Sequence, residues 1–434
     1  VALLGILILG DPLLSGMALG GAVVVAVVTL AGLTLVPAAL SFLHRALPSA
    51  GARTWARPWA GRASREGLLA CSTRLAQRRP GIVAVSAAAV MLLLAAPVAS
   101  LALDDSDIRS LPAAAEERRA YEATTTGFTG IGIEPVTVVL DGSIQDAAVT
   151  GVLDRIAALP DVADADVVQG LPPEIPAVAF TPVGESATGD AAQRLVTAVR
   201  GLSTPVPVEV TGPAASLIDT RDHLAARLPW ALVIVAAASF ALLFALTRSL
   251  VVPLKALLLA ALTVASTLGV LTAVFGWGWG APLLGFEPRG TLDVTTPLLI
   301  GLLAFGLTMD YEVFLLSRIT EGWRARGRSA DPRTANAEAV RHGITRTGPV
   351  VTLAAAAICV VFVGFAFGEL VAMKEIGVGM VIAVVLDVTV VRGLLLPALM
   401  TLLGRANWWP SARRPIPVPA EPTPTVDRRV PVRS

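Results

Sequence analysis

Thr291 to Trp323, TLDVTTPLLIGLLAFGLTMDYEVFLLSRITEGW, is the stretch that decides how the chain is read. From Val294 to Leu316 it is almost wholly apolar and long enough to cross a bilayer as one helix. Asp310 interrupts it, followed at once by Tyr311, one of only two tyrosines in the chain. An Asp at membrane depth costs about 2.5–3.5 kcal/mol on insertion scales, so this carboxyl is expected to face protein or water rather than lipid. The apolar run continues through Val313, Phe314, Leu315 and Leu316 before Arg318. A helix cap or a headgroup position therefore explains Asp310 less well than a place inside the span. Asp310 is the candidate proton carrier, and Tyr311 its candidate companion in a relay. A phenol can hydrogen-bond an ionised carboxyl. Tyr311 sits about 100° further round the helix, so its partner can also lie on another helix.

Working outward, composition sets the class. Of the 434 residues 54% are hydrophobic and 15% charged, and mean hydropathy is +0.71. That describes a polytopic α-helical membrane protein with a soluble insert. Cys71, in an Arg-rich loop, and Cys359, in an apolar helix, cannot build a disulfide framework. His44, His223 and His342 are too scattered for a metal site. The sequence holds no G-x-x-x-x-G-K-[ST], G-x-S-x-G or H-E-x-x-H motif, and its only lysines are Lys255 and Lys374. We therefore expect no enzyme, no catalytic residue, no metal and no cofactor. The basic loops suit anionic headgroups of the lipid bilayer better than nucleic acid.

Residues 1–43 read as the end of one transmembrane bundle. Val1–Gly10 is the tail of a span, Asp11–Gly16 a turn, and Met17–Leu43 a full span. The start inside an apolar run, without Met, leads us to expect the later part of a longer protein. Residues 44–80 form an Arg-rich loop, 81–103 the next span, and 104–228 a polar, soluble segment. Residues 229–403 hold five spans: Trp230–Leu246, Ala256–Phe275, the Asp310 helix, Val350–Phe367 and Ile376–Leu403. A polar turn at Arg248–Lys255 and an Arg-rich loop at Arg318–Arg346 join them. Residues 404–434 end in a Pro/Arg-rich tail expected to be extended and disordered.

Arginine placement orients the chain. His44–Pro80 carries eight arginines and one acid, Glu66, and Arg318–Arg346 carries seven arginines. The 104–228 insert carries 19 acids against eight arginines. Threading the spans in order puts the basic loops on one side, expected to be cytoplasmic, and the acidic insert outside. Tryptophans mark the two boundaries: Trp230, Trp277 and Trp279 outside, and Trp323, Trp408 and Trp409 inside. Arginine in place of lysine and a wealth of alanine point to a GC-rich bacterium, and so to a bacterial cell membrane.

The insert reads as α+β. Pro135–Asp141, Val162–Val168, Ala177–Val183 and Val206–Thr211 are strand candidates, and Asp146–Leu159 and Ala191–Leu202 have helical spacing. The order βαββαβ is the ferredoxin-like, split βαβ pattern. Pro213–Arg227 is a helix leading into the Trp230 span. Gly127–Gly132, GFTGIG, is a turn or a flexible lip.

LTLVPAALSFLHR at 33–45 aligns without gaps with GLLLPALMTLLGR at 393–405, and the match extends upstream. A duplicated protein follows, of which this chain holds the end of one copy and all of the next. The copies differ where Val27 meets Asp387 and Gly32 meets Arg392, so these two charges belong to the last helix alone. They are a candidate intramembrane ion pair, with a place in a proton path as the alternative.

FGLTMDYEVFLLSRITEGW, RSLVVPLKA, AVRHGITRTGPVVT and KEIGVGMVIAVVLDVTVVRGLLLPALMTLLGRANWW together resemble the MmpL family of the resistance-nodulation-division (RND) superfamily. The resemblance spans residues 1–409, and the Asp-Tyr helix is its most specific motif. It implies a proton-motive-force-driven exporter of lipids or other hydrophobic molecules, with twelve spans and two extracytoplasmic porter domains. On that layout residues 104–228 are the second porter domain, the Asp310 helix is span ten, and the N-terminal half with its own Asp-Tyr pair is the missing partner. A homo-oligomer is compatible with this plan. Two alternatives remain: a SecD/SecF-like proton-coupled protein-export component, and a truncated scaffold that does not transport.

Overall fold

The computed structural model describes residues 2–10, 12–43, 68–104, 108–112, 114–127, 134–170, 172, 176–184, 186–326 and 331–410. The loop over 44–67, the GFTGIG stretch after Gly127 and the tail beyond 410 lie outside the described residues. Among those described, seven helices are long and apolar enough to cross a membrane. The chain belongs to the class expected: a helical membrane bundle with an α+β insert.

The elements run α1 (Ala2–Leu9), α2 (Pro12–Leu43), α3 (Leu68–Arg78) and α4 (Pro80–Ala95), the last extended by a 3-10 turn at Ala96–Ser100. Strand β1 (Leu103–Asp104) and α5 (Glu116–Gly127) lead into the insert. The insert is β2 (Val136–Leu140), α6 (Ala147–Ala157), β3 (Val162–Val167), β4 (Ala177–Pro182), α7 (Asp190–Arg200) and β5 (Val208–Thr211). Then come α8 (Pro213–Thr247), α9 (Val251–Leu271), β6 (Leu292–Asp293), α10 (Thr296–Arg326) and α11 (Pro332–Ala366). The last span is α12 (Val371–Leu386), a π-helical stretch at Asp387–Leu395, and α13 (Leu396–Leu403).

The insert's strands lie in the order β3-β4-β2-β5, and all three pairings are antiparallel. Alternation explains why β2 can hold the centre. Val136, Val138 and Leu140 are buried and Thr137 and Val139 between them are half-buried, as a two-residue period requires. Val149, Val152 and Ile156 of α6 and Leu195, Val196 and Val199 of α7 share this core, and Ala214 and Ala215 of α8 close it. The edge strand β3, VADADV, is exposed and charged at Asp164 and Asp166, which blunts pairing with a second chain.

The membrane helices pack through small residues. A Cβ at Gly269 of α9 would run into the Leu94 carbonyl of α4, and Ser266 Oγ donates to the Met91 carbonyl at 2.8 Å. Gly377 of α12 meets the backbone of α11 at Phe362 and Ala366, and Gly343 of α11 meets Ile319 of α10. Close backbone approach is what holds helices together where lipid is as apolar as leucine. A Cβ at Gly301 of α10 would make only an ordinary contact with Val264.

Several boundaries differ from expectation. The Arg318–Arg346 loop is mostly helix, because α10 runs on to Arg326 and α11 starts at Pro332. Arg318 pairs with Glu321 three residues on at 2.9 Å, and Asp331 caps α11 by accepting from the Thr334 amide. Cys71 sits on the amphipathic helix α3, not in a loop. Proline at the first helical position starts α2 at Pro12, where a turn to Gly16 was expected. The polar turn Arg248–Lys255 ends by Leu250, and Lys255 is buried inside α9.

The insert joins the bundle through a narrow neck. β1 pairs in parallel with β6 over only two residues, Leu103 with Leu292 and Asp104 with Asp293. Arg221 of α8 donates to the Leu103 carbonyl, drawing together the strands that lead into the insert and the helix that leaves it. Asp293 then caps α10: its Oδ1 accepts from the amides of Thr295 and Thr296 at 2.9 and 3.0 Å.

Candidate functional site

Asp310, Tyr311 and Glu312 occupy consecutive positions of α10, so they fan across about 200° of its circumference. Asp310 lies about 21 Å along the axis from Thr296 and is exposed. Tyr311 is half-buried, and Glu312 is only 4% exposed. Two acids two residues apart on one helix thus point in different directions, one outward from the bundle and one into it. The sequence favoured a buried Asp310. Its burial in this chain belongs instead to Glu312, which sits in the same apolar run and was passed over. The ground that singled out Asp310, an acid inside a span, applies equally to Glu312.

Asp387 and Arg392 meet inside the bundle. Nε of Arg392 donates to Asp387 Oδ2 at 2.7 Å, and the two residues are 2% and 3% exposed. Five residues apart on an ordinary α-helix, they would point about 140° away from each other. The π-helical stretch at Asp387–Leu395 widens the turn and brings them onto one side. The aligned positions on α2, Val27 and Gly32, lie in uninterrupted α-helix. The second guanidinium arm donates to the Thr308 carbonyl of α10 at 2.6 Å, and the guanidinium carbon lies 5.2 Å from the Tyr311 ring centroid. The ion pair therefore binds the last span to the helix of Asp310 and holds the face of Tyr311. Ser317, by contrast, bonds back to its own helix at Phe314.

Lys255 completes a buried charge cluster. It is 6% exposed and approaches Asn407 Oδ1 at 3.5 Å. Lys255 and Arg392 are the cations whose charges bear on Glu312. Glu312, Asp387, Lys255 and Arg392 are thus all buried, with Oε1 of Glu312 and Oδ1 of Asp387 lacking a hydrogen-bond partner, and Asp310 stands outside this group. Lys255 was expected to end the polar turn Arg248–Lys255, and its long aliphatic stem lets it lie within the span instead. Asn407 also anchors the end away from the insert, donating to the Met400 and Gly404 carbonyls at 2.8 and 2.9 Å. Trp408 donates to Asn336 at 3.0 Å and stacks on Trp323 at 5.1 Å. Among the described residues no group of His, Cys, Asp and Glu is placed to hold a metal ion. The arrangement keeps four ionisable side chains inside the bundle and leaves one carboxyl of α10 facing outward.

A family model described as the MMPL family matches residues 177–422. A putative membrane protein of Streptomyces coelicolor, SCO6666, is 41% identical over 411 residues, 94% of this chain and 55% of that protein. The heme uptake protein MmpL11 of Mycobacterium tuberculosis is 33% identical over 425 residues, 94% of this chain and 42% of that protein. The trehalose monomycolate exporter MmpL3 of the same organism is 35% identical over 350 residues, 76% of this chain and 36% of that protein. The chain spans about half the length or less of these relatives.

Proposed function

The chain belongs to the MMPL family, and from that premise we propose that it is the half of a proton-driven exporter that carries one of its proton sites. The observation that carries this reading is the placement of ionisable side chains on and around α10. Glu312, Lys255, Asp387 and Arg392 are buried inside the bundle, while Asp310 faces outward from the middle of the membrane span that carries Glu312. An acid so placed is a proton site by default. Protonation removes its charge and lets the helices beside it repack. One proton crossing 100 mV supplies about 2.3 kcal/mol for that step. Tyr311, whose ring faces Arg392, is the candidate to tune or relay the proton.

The cargo is a lipid or other hydrophobic molecule, in keeping with a relative named as an exporter of trehalose monomycolate. MmpL11 is named for heme uptake, so cargo and direction are both part of the test. In the full transporter the face of α10 bearing Asp310 meets the N-terminal half. Residues 104–228 form the extracytoplasmic porter domain, and the Arg-rich segments and the C-terminus lie in the cytoplasm.

Asp310→Asn in the full-length protein keeps the size of the side chain and removes the titratable group. Export of lipid, measured in inverted vesicles with expression checked separately, is expected to stop. Tyr311→Phe is expected to be milder if the phenol tunes the acid, and as severe if it relays the proton. Wild-type export by the Asn variant, still collapsed by an uncoupler, would place the proton elsewhere. Uncoupler-sensitive accumulation in place of export would reverse the direction.

A further inference from the structure

Another buried carboxyl lies well away from that site, at the insert-side end of the last span. Glu375 is the fifth residue of α12 and is 2% exposed. Its Oε2 has no hydrogen-bond partner. It lines a cavity of about 20 Å³ together with Ser110, Phe275, Arg289, Thr291 and Asp293. A space of that size holds about one water molecule. Buried charges are normally paired, and an ionised carboxyl with a bare oxygen in so dry a place is costly.

The charged groups around it are already engaged. Lys374, next to it on α12, donates to the carbonyls of Leu284 and Gly285 at 2.6 and 3.0 Å. Arg289, before β6, faces Asp104 of β1 at 3.9 Å. Arg118 of α5 bridges Glu122 and Glu287. Glu369, in the turn between α11 and α12, is exposed. Asp293 and Arg289 are the charges that bear on Glu375 itself. Among the described residues no metal-holding group includes it. A proton, exchanged through a single water, is the ligand that fits both the charge and the space.

The position gives this proton something to act on. Asp293, which shares the cavity, caps α10, and α10 carries Asp310. An ionised Glu375 repels the Asp293 carboxylate, and a protonated one does not. Asp387 lies twelve residues further along the same span, about 18 Å away. We infer that Glu375 is a proton-binding site at the insert-side mouth of the bundle, and that its occupancy sets how firmly Asp293 caps the Asp310 helix. The link to transport rests on the proton-driven reading above, whereas the binding of a proton does not.

Infrared difference spectra between acid and alkaline pH test this on the purified chain in lipid nanodiscs, by the carbonyl stretch of protonated carboxyl groups. Glu375→Gln is expected to remove one titrating band that Asp310→Asn leaves in place, and Glu375→Asp to restore a band at a shifted position. In the full-length transporter, Glu375→Gln is expected to remove one ionisation from the dependence of export on insert-side pH, whereas Asp310→Asn stops export at every pH. A folded Glu375→Gln variant whose difference spectrum matches the wild type would overturn the inference. Loss of the band with export unchanged in Asp310→Asn would sink the proton role of Asp310 and leave this site standing. A blocked Asp310→Asn with an unaltered Glu375→Gln spectrum would do the reverse.

Discussion

Replacing Arg392 with methionine removes the cation from the buried pair and leaves Asp387 in place. With Nε and Oδ2 2.7 Å apart, the charge centres lie about 4 Å apart, and their attraction is about 4 kcal/mol at an effective dielectric of 20. The same change removes the charged hydrogen bond to the Thr308 carbonyl, worth about 1.5–3 kcal/mol. Desolvation of the arginine offsets part of the sum, so we expect Arg392→Met to destabilise by about 3–5 kcal/mol, the range for breaking one side of a buried pair. Asp387→Asn leaves the cation buried and is expected to cost a similar amount. The double variant leaves no uncompensated charge and is expected to recover about 0.5–3 kcal/mol relative to the sum of the singles. Equilibrium unfolding of the chain in mixed lipid–detergent micelles, followed by loss of helical circular dichroism, measures the cycle. A double variant that loses the full sum would refute the claim that the two residues act as one neutral unit.

Leu195→Ala, in the core between α7 and the sheet, is expected to lower the stability of the insert by about 2–5 kcal/mol in chemical denaturation of residues 104–228 expressed alone. That segment is expected to be soluble with mixed helix and strand, and a purely helical spectrum would contradict the fold. In a background lacking Cys71 and Cys359, a cysteine at Gln145 is expected to react with a membrane-impermeant thiol reagent in intact cells, and one at Arg324 to resist it. The Arg194 guanidinium holds the Asp161 carboxyl below its ordinary value, so the pair stabilises the insert above about pH 4 and that contribution is lost as pH falls through the lowered value. Arg194→Gln is expected to flatten this acid limb of the stability–pH curve.

What could be read in advance was whatever repeats locally. The strands of the insert alternate every second residue, and its helices carry Val149, Val152, Ile156 or Leu195, Val196, Val199 at helical spacing. Their order was therefore visible before any contact was known. Span boundaries were less visible, because Arg318 to Arg326 looks polar enough for a loop while its charges pair along a continuing helix. Contacts between distant segments left no local trace: the two-residue pairing of β1 with β6 joins positions 103 and 292. The π-helical turn has no composition signal either, although two opposite charges five residues apart in an apolar span hint at a widened turn. Glu312 and Lys255 were legible and missed, one beside a more familiar acid and the other assigned to a turn. Glu375 fell just before the span expected at Ile376, in a run quoted only for its family resemblance.

The neck between insert and bundle has a mechanical consequence. A body tethered by one flexible link can swivel freely, and no force applied to it travels far. Here α8 passes from the insert core into the membrane as one helix, and Arg221 ties it to the strand at Leu103. That strand is paired with β6, whose Asp293 holds the first turn of α10. The tether is thus a helix, a two-residue strand pairing and a helix cap in series. A push along the axis of α10 loads the insert within a few residues, and a tilt of the insert pulls on the end of the helix that carries Asp310. The helix and the insert are coupled as a rod and the crank it drives, with Asp293 as the pin between them.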